Sequence, residues 1–520
     1  MIQQRETRPS PLALLVLALT ALGIITICSK SSPLYPMNDW VDANTYFTIG
    51  RGMLAGKVPY RDLVDQKGPL LFTLHALAAL ISRDSFLGVW VLEIAASFAF
   101  LCLQYRTLRL FFDERVLVLM PLLAGALYSQ RCFIHGDSAE ELCLPLLAYA
   151  LYAGSRAIAD DNLPDTRTFF LIGLTSGCVL WMKYTLLGFY LGWYAVPLYM
   201  ALRKGRPVQL ARGTGMILLG VGASALPFVL YFGVNGAIGD WLQVYFYDNF
   251  VYYPGNMPGM EGGAPDHWRY ALELYRGQMA LLLPGLLWCA GTRRWRLLWQ
   301  SLLTSVLLFL GVYAGGWVIG YYRFAFAPCY VFSFAFCWQF VPALSSLLAR
   351  PAPQKGRGKK RTRGSEPPAP LRPVWLMALL SAAALALGLW WAGTRSVNTY
   401  LMGTDRSQLP PYQAAEVIRA SGVEDPTLLN YGFLDGGFYL ASGILPQERY
   451  FCKLNARIPG MQEELDDLLA RGGVDFVVTR NRLLQLPHYR QVGEWSFWFE
   501  GYDWDYHLYQ RTALLEVSES

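Results

Sequence analysis

Charge is what this sequence has least of. Only 16% of its 520 residues are Asp, Glu, Lys or Arg, where a water-soluble protein carries about 25%. A deficit of that size does not fit one solvated surface. Together with a hydrophobic content of 54% it also excludes intrinsic disorder, which needs the opposite balance. Cysteine is scarce as well. Nine in the whole chain are too few for a disulfide-rich secreted module. Cys28, Cys102, Cys143, Cys178, Cys289, Cys329 and Cys337 lie in or beside apolar runs and read as small hydrophobes. Cys132 and Cys452 read as the exposed pair. Walker loop, GxGxxG, HExxH and CxxC are all missing, so no nucleotide or zinc signature is present. There is no internal repeat of fixed period.

What is present is long apolar runs. A bilayer core needs about 20 such residues per helix, and about eleven runs qualify. They lie near 11–29, 86–105, 116–130, 142–158, 168–182, 184–202, 213–233, 279–292, 297–320, 324–348 and 374–392. The first follows Arg5 and Arg8 but has no small-x-small cleavage site, so it reads as a retained helix rather than a signal peptide. The expected class is therefore an all-α polytopic membrane protein.

The net charge of +6 is an orientation signal. Basic residues cluster in alternate short loops: Arg106, Arg109 and Arg115; Arg156 and Arg167; Arg203, Lys204, Arg206 and Arg212; Arg293, Arg294 and Arg296. With the N-terminus cytoplasmic and eleven spans, all of these face the cytoplasm. Residues 69–82 would invert this parity as a further span. At about 14 residues, with His75 inside, they read instead as an interfacial or re-entrant helix.

The domain division expected is a transmembrane catalytic domain over 1–349, with a first outer loop at 30–85, and a Pro-, Gly- and Lys/Arg-rich cytoplasmic linker at 350–373. A last span at 374–392 then leads to a small extracytoplasmic α/β domain at 393–520. In that domain helices are expected at Tyr412–Ser421 and Met461–Ala470, and strands at Thr427–Tyr431, Val474–Thr479 and Val492–Trp498. Its tail, WSFWFEGYDWDYHLYQ, is a sugar-binding aromatic face with Asp503 and Asp505, an ordinary edge strand or a membrane-interface belt. Residues 234–278 read as a long outer loop, a flap over a cleft.

The polar residues of the outer loops carry what chemistry there is. The first loop opens with Asn38, Asp39, Asp42 and Asn44 and continues through Gly50, Gly52, Gly56, Pro59-Tyr60-Arg61-Asp62 and Asp65-Gln66-Lys67-Gly68-Pro69. A carboxylate just after a membrane helix faces the level at which a lipid-linked head group sits, and it can take a proton from an attacking hydroxyl. The alternative role for Asp39 or Asp42 is to cap a helix. The second outer loop holds Arg131, His135, Asp137, Glu140 and Glu141. These types suit a divalent metal, with Asp137 and Glu140 the candidate ligands, or a phosphate, although the spacing matches no specific motif. The bland alternative is a solvated loop with an N-cap at Asp137 or Ser138. Lys67, Lys183 and Arg323 sit at outer helix ends. They either snorkel or neutralise a phosphate leaving group.

The segment Asn38 to Pro69 resembles bacterial members of the GT-C glycosyltransferase superfamily, near the branch of the dolichyl-phosphate-mannose-protein mannosyltransferases and aminoarabinose transferases. The likeness rests on the Asp39/Asp42 pair, the Gly50…Gly56 spacing, Pro59-Tyr60-Arg61-Asp62 and Asp65-Gln66-Lys67-Gly68-Pro69. Glu140-Glu141 and Lys183 fit the same pattern. The resemblance implies a helical bundle with membrane-parallel helices in the first outer loop. It implies inverting transfer of a sugar from a polyprenyl-phosphate donor to a glycan, lipid or protein acceptor, with no nucleotide sugar or nucleic acid involved. Some relatives use a divalent metal and others do not. On this reading Asp42, or Asp39, is the base, with Asp42 favoured. Lys67, Lys183, Arg323 and Arg61 hold the donor phosphate. Asp65, His135, Asp137, Glu140 and Glu141 position sugar or acceptor. The protein is then expected in the cytoplasmic membrane. Two rival functions are a flippase for a lipid-linked sugar, for which Glu93 is the one mid-span charge, and a non-catalytic membrane protein that binds envelope glycan.

Overall fold

The computed structural model describes residues 8–253, 263–348, 374–485, 487–499 and 501–514. The helices are α1 (Pro11–Cys28), α2 (Val41–Leu54), α3 (Pro69–Ile81), α4 (Leu87–Arg109), α5 (Leu119–Tyr128), α6 (Ala139–Ala159), α7 (Thr166–Lys183), α8 (Gly188–Lys204), α9 (Pro207–Val234), α10 (Ile238–Leu242), α11 (Asn249–Val251), α12 (Gly263–Gly291), α13 (Trp295–Tyr313), α14 (Val331–Leu348) and α15 (Val374–Arg395). Seven helical runs among the described residues are long and apolar enough to cross a membrane, and one of them, Thr166–Lys204, contains both α7 and α8. The protein is a multi-pass membrane protein.

Two expected spans come out differently. The run at 116–130 breaks into a short 3-10 turn and α5, which at 10 residues is only about 15 Å long. The run at 324–348 begins as a 3-10 segment, Gly320–Tyr330, before α14 starts. Pro121 lies in the first turn of α5 and Pro328 near the end of the 3-10 segment, where each removes an amide donor that a continuous α-helix would use. Helix α1 carries a Ser10 side-chain cap and packs on α4, α5 and α15. Helices α7 and α9 meet along small residues, with Gly173 against the Ile217 backbone and Gly177 against Ser224, the close approach typical of membrane helices. Leu218, Leu219, Leu226 and Leu230 of α9 stand exposed and form a lipid-facing stripe.

Helix α3 has 13 residues, too few to cross, and lies between α2 and α4. The stretch read as a flap is largely helical: α10, a π-turn over Gln243–Asp248, α11 and the start of α12. Its central residues 254–262 lie outside the described residues, as do the basic linker at 350–373 and the N-terminal arginine Arg5. Cys132 and Cys452, read as exposed, are both buried, and all nine cysteines are free.

The C-terminal domain contains α16 (Pro410–Ala420), α17 (Phe438–Ser442), α18 (Met461–Ala470) and strands β1 (Leu428–Tyr431), β2 (Phe476–Arg480), β3 (Tyr489–Phe499) and β4 (Tyr502–Arg511). The sheet order is β1-β2-β4-β3. Strand β1 pairs parallel to β2, and the other pairs are antiparallel. The aromatic tail is the β3–β4 hairpin. Its β4 half is a central strand, and Phe499 and Tyr506 belong to the domain core.

Candidate active site

Helix α2 starts at Trp40, which provides no side-chain cap, so neither Asp39 nor Asp42 is a capping residue. Asp39 lies before the helix in the extended entry and Asp42 in its first turn. The two carboxylates therefore point to different places. Asp39 is buried and closed: Oδ1 is paired with the ammonium of Lys30, Oδ2 accepts from the Tyr400 hydroxyl, and His135 Nδ1 lies 3.8 Å away. The His135 ring stacks on Trp40 at 5.2 Å, and burial, together with Lys30, holds its pKa well below the usual value.

Asp42 is buried as well, but its side chain keeps 11% exposure where that of Asp39 has none, and its recorded partners all meet Oδ2. Its Oδ2 accepts from the hydroxyls of Tyr46, at 3.2 Å, and Tyr321, at 3.1 Å. The Nζ of Lys67 stands 3.8 Å from the same oxygen, 5.6 Å from the centre of the Tyr46 ring. Burial works against the charged form of Lys67, but Asp42 and Asp65 outweigh it and its pKa is raised. Asp65 accepts from the Lys67 backbone amide. Burial raises its pKa, and the lysine moderates the shift.

Lys67 and Lys183 line a cavity of about 500 Å³. Its polar end also holds Gln66, Tyr253 and Tyr322. Its other walls are apolar, from Leu191, Phe250, Leu307, Leu310 and Gly311 on α8, α11 and α13. Lys183 is ion-paired with Glu140, and its Nζ lies 3.5 Å from the centre of the Tyr322 ring. Lys183 can stand here because the chain breaks from α7 into a 3-10 turn at that residue, with φ −156° and ψ 92°.

Several residues of the sequence reading are not part of this arrangement. Arg61 is on the surface, bonded to Asp62 and to the Asn235 carbonyl. Arg323 spends its guanidinium on the carbonyls of Gly320 and Leu274 and does not line the cavity. Asp137 and Glu140 are not brought together as a metal pair. Asp137 faces His75 Nε2 at 2.9 Å, while Glu140 faces Lys183. No group of three or more His, Cys, Asp or Glu among the described residues is arranged to hold a metal ion. Glu141 accepts from the Asp137 amide at 2.9 Å, as Glu93 does at 2.8 Å. Asp137 adopts a left-handed backbone, φ 62°, to present that amide. Ser138 is the N-cap of α6, as the bland reading of that loop held, but the loop is not solvated: His135, Asp137, Glu140 and Glu141 are all buried. Glu93 lies in the second turn of α4 and accepts from the Ser29 hydroxyl just after α1. The sequence reading missed Lys30, Tyr253 and the partnership of Tyr321 and Tyr322 with the site. The Tyr-Tyr doublet ahead of Arg323 was the available signal.

No family model matches the chain. Solved structures do. The crystal structure of ArnT from Cupriavidus metallidurans bound to undecaprenyl phosphate aligns with 95% of this chain and 97% of that one, at a TM-score of 0.56 and 12% identity. The apo state of the same protein aligns with 90% and 92%, at a TM-score of 0.55 and 13% identity. The fold is that of ArnT. The match covers 95% of the chain, so the ArnT-like architecture takes in both the bundle and the C-terminal sheet. At this identity the likeness carries the fold.

Proposed function

We propose that the protein is an integral-membrane glycosyltransferase that moves a sugar from a polyprenyl-phosphate donor to an acceptor hydroxyl on the extracytoplasmic side, with inversion. The observation that carries this reading is a mostly apolar cavity into which two lysines project, one of them, Lys67, standing 3.8 Å from the carboxylate of Asp42 just behind the wall. That polarity suits a phosphate on an isoprenoid chain, and the ArnT neighbour was crystallised with undecaprenyl phosphate.

The charges balance through the step. The acceptor oxygen forms a bond to the anomeric carbon as the bond from that carbon to the phosphate oxygen breaks, and the acceptor proton passes to Asp42. The lipid phosphate, a monoanion as a diester, leaves as a dianion. Protonation of Asp42 removes the anion 3.8 Å from Lys67. The ammonium is thereby freed to stabilise the phosphate just as its second charge appears. Lys183, held by Glu140 and the face of Tyr322, supports the phosphate from the other side. Tyr46 and Tyr321 aim the base. Asp39, with both oxygens engaged, holds the loop.

Purified protein incubated with radiolabelled undecaprenyl-phosphate sugars and membrane extract should yield a labelled product. Asp42→Asn should lower that transfer by about 10²–10⁴-fold, the range for losing a general base. Full transfer by Asp42→Asn would remove the assignment.

A further inference from the structure

We infer that the C-terminal domain sets the position of the active site, and that Asp435 is a positioning residue that holds α2, and with it Asp42, in place. This rests on the reading of Asp42 as the base.

Along α2 the side chains divide by the 3.6-residue period. Asp42, Tyr46 and Ile49 share one face, toward the site and α3. Asn44, Thr48 and Arg51 share the opposite face, and the C-terminal domain is seated on it. The Thr48 hydroxyl donates to Oδ2 of Asp435 at 2.6 Å. Arg51 donates to the carbonyls of Tyr439, at 3.1 Å, and Gly443, at 3.3 Å. Asp435 is fully buried. Its other oxygen accepts from Asn430 Nδ2 at 3.1 Å and the Gly437 amide at 2.8 Å, so each carboxylate oxygen has its own task. Oδ1 fixes the turn and Oδ2 reaches across to α2.

The turn itself is shaped for contact. Gly437 has φ +88°, and a Cβ there would lie 2.3 Å from Met37 Cε and 3.2 Å from Asn44 Oδ1. Only glycine lets the turn approach that closely. Asn44 in turn donates to the carbonyls of Asn38 and Trp40, which tie down the entry to the helix. Displacing α2 by a fraction of an ångström moves the carboxylate relative to Lys67, and misplacement on that scale is costly for proton transfer.

The test is hydrogen–deuterium exchange on the full-length protein in lipid nanodiscs, with transfer measured on the same samples using radiolabelled undecaprenyl-phosphate sugars. Thr48→Val keeps the shape and removes the donor; Thr48→Ser keeps the donor. Asp435→Asn keeps the Oδ1 acceptor and loses the one facing Thr48. Thr48→Val and Asp435→Asn should each raise exchange of the α2 amides by about fivefold while β1 and β2 stay protected. The double variant should add nothing further. Each should lower kcat about tenfold with the donor KM unchanged, and Thr48→Ser should restore both readouts. Unchanged α2 protection, unchanged kcat despite faster α2 exchange, or equal loosening of β1 and β2 would each overturn the inference. Activity surviving in Asp42→Asn would instead sink the base assignment, whatever the exchange result.

Discussion

Asp435 has a second consequence at the scale of a single residue. Burial pushes its carboxyl up to about 6, although the hydrogen bonds from Thr48, Gly437 and Asn430 and the charge of Arg51 pull the other way. In the unfolded chain an aspartate titrates near 3.9. The native carboxyl thus binds its proton more readily than the unfolded one. Its charged form burdens the native state above pH 6, and that burden is relieved as the pH falls from about 6 toward 4. The melting temperature of wild type, minus that of Asp435→Asn, should therefore grow as the pH drops from about 7 to 5, by at most about 1.4 kcal/mol per pH unit in free-energy terms. A difference that stays flat over that range would contradict the burial argument. The same scale separates Asp39 from Asp42. They are three positions apart, but only one keeps side-chain exposure, because Lys30 and Tyr400 occupy the other.

At the scale of elements, the position of α2 depends on contact with α3 as well as with the C-terminal domain. Gly50 is the point of closest approach. A Cβ there would lie 2.6 Å from the backbone of His75 and Ala76, and backbone cannot yield as a flexible side chain does. Gly50→Ala should destabilise the protein by about 1–3 kcal/mol, the usual cost of overpacking, and should depress transfer further by moving Asp42. Thermal melting in detergent beside the wild type measures the first effect, and an unchanged melt would show that α2 and α3 can separate freely. Much of this element level was legible in advance. The helices at 410–420 and 461–470, strands β1 to β3 and the short helix at 69–81 follow from periodicity and length. The segment at 234–278 was misread because its tyrosines and polar groups lack a clear helical stripe, whereas in the fold its aromatic residues pack on Trp181 and Tyr184. The breaks at 116–130 and 320–330 were missed because apolar content measures length in a membrane and not the local tightness of the turn.

For the whole molecule, a cavity with a cationic end and apolar walls should recognise the two halves of its ligand together. Undecaprenyl phosphate should raise the melting temperature, with a stabilisation of about 2.7 kcal/mol when present at a hundred times its Kd. Undecaprenol, which lacks the phosphate, should give much less, and Lys67→Gln should lose most of the shift. Equal shifts from the alcohol and the phosphate would mean that the lysines do not read the phosphate. The +6 net charge belongs to this scale too: it describes how basic loops distribute along the chain rather than any property of the site, where Asp42, Asp65 and Glu140 surround two lysines.

Composition, run length and local spacing were enough to read a multi-span membrane protein with a small α/β domain, and to single out the segment from Asn38 to Pro69 as the place to look for a site. Those three do not change when the chain folds. The tertiary structure decided which carboxylate keeps some exposure and which cations face it. Asp42 receives Tyr321 from 279 positions away and Asp39 receives Tyr400 from 361 positions away. It also turned Arg61 and Arg323 away from the cavity and brought the C-terminal domain onto α2, the helix that carries Asp42. Pairings over such distances are set by how the helices pack, and no local pattern in the sequence records them.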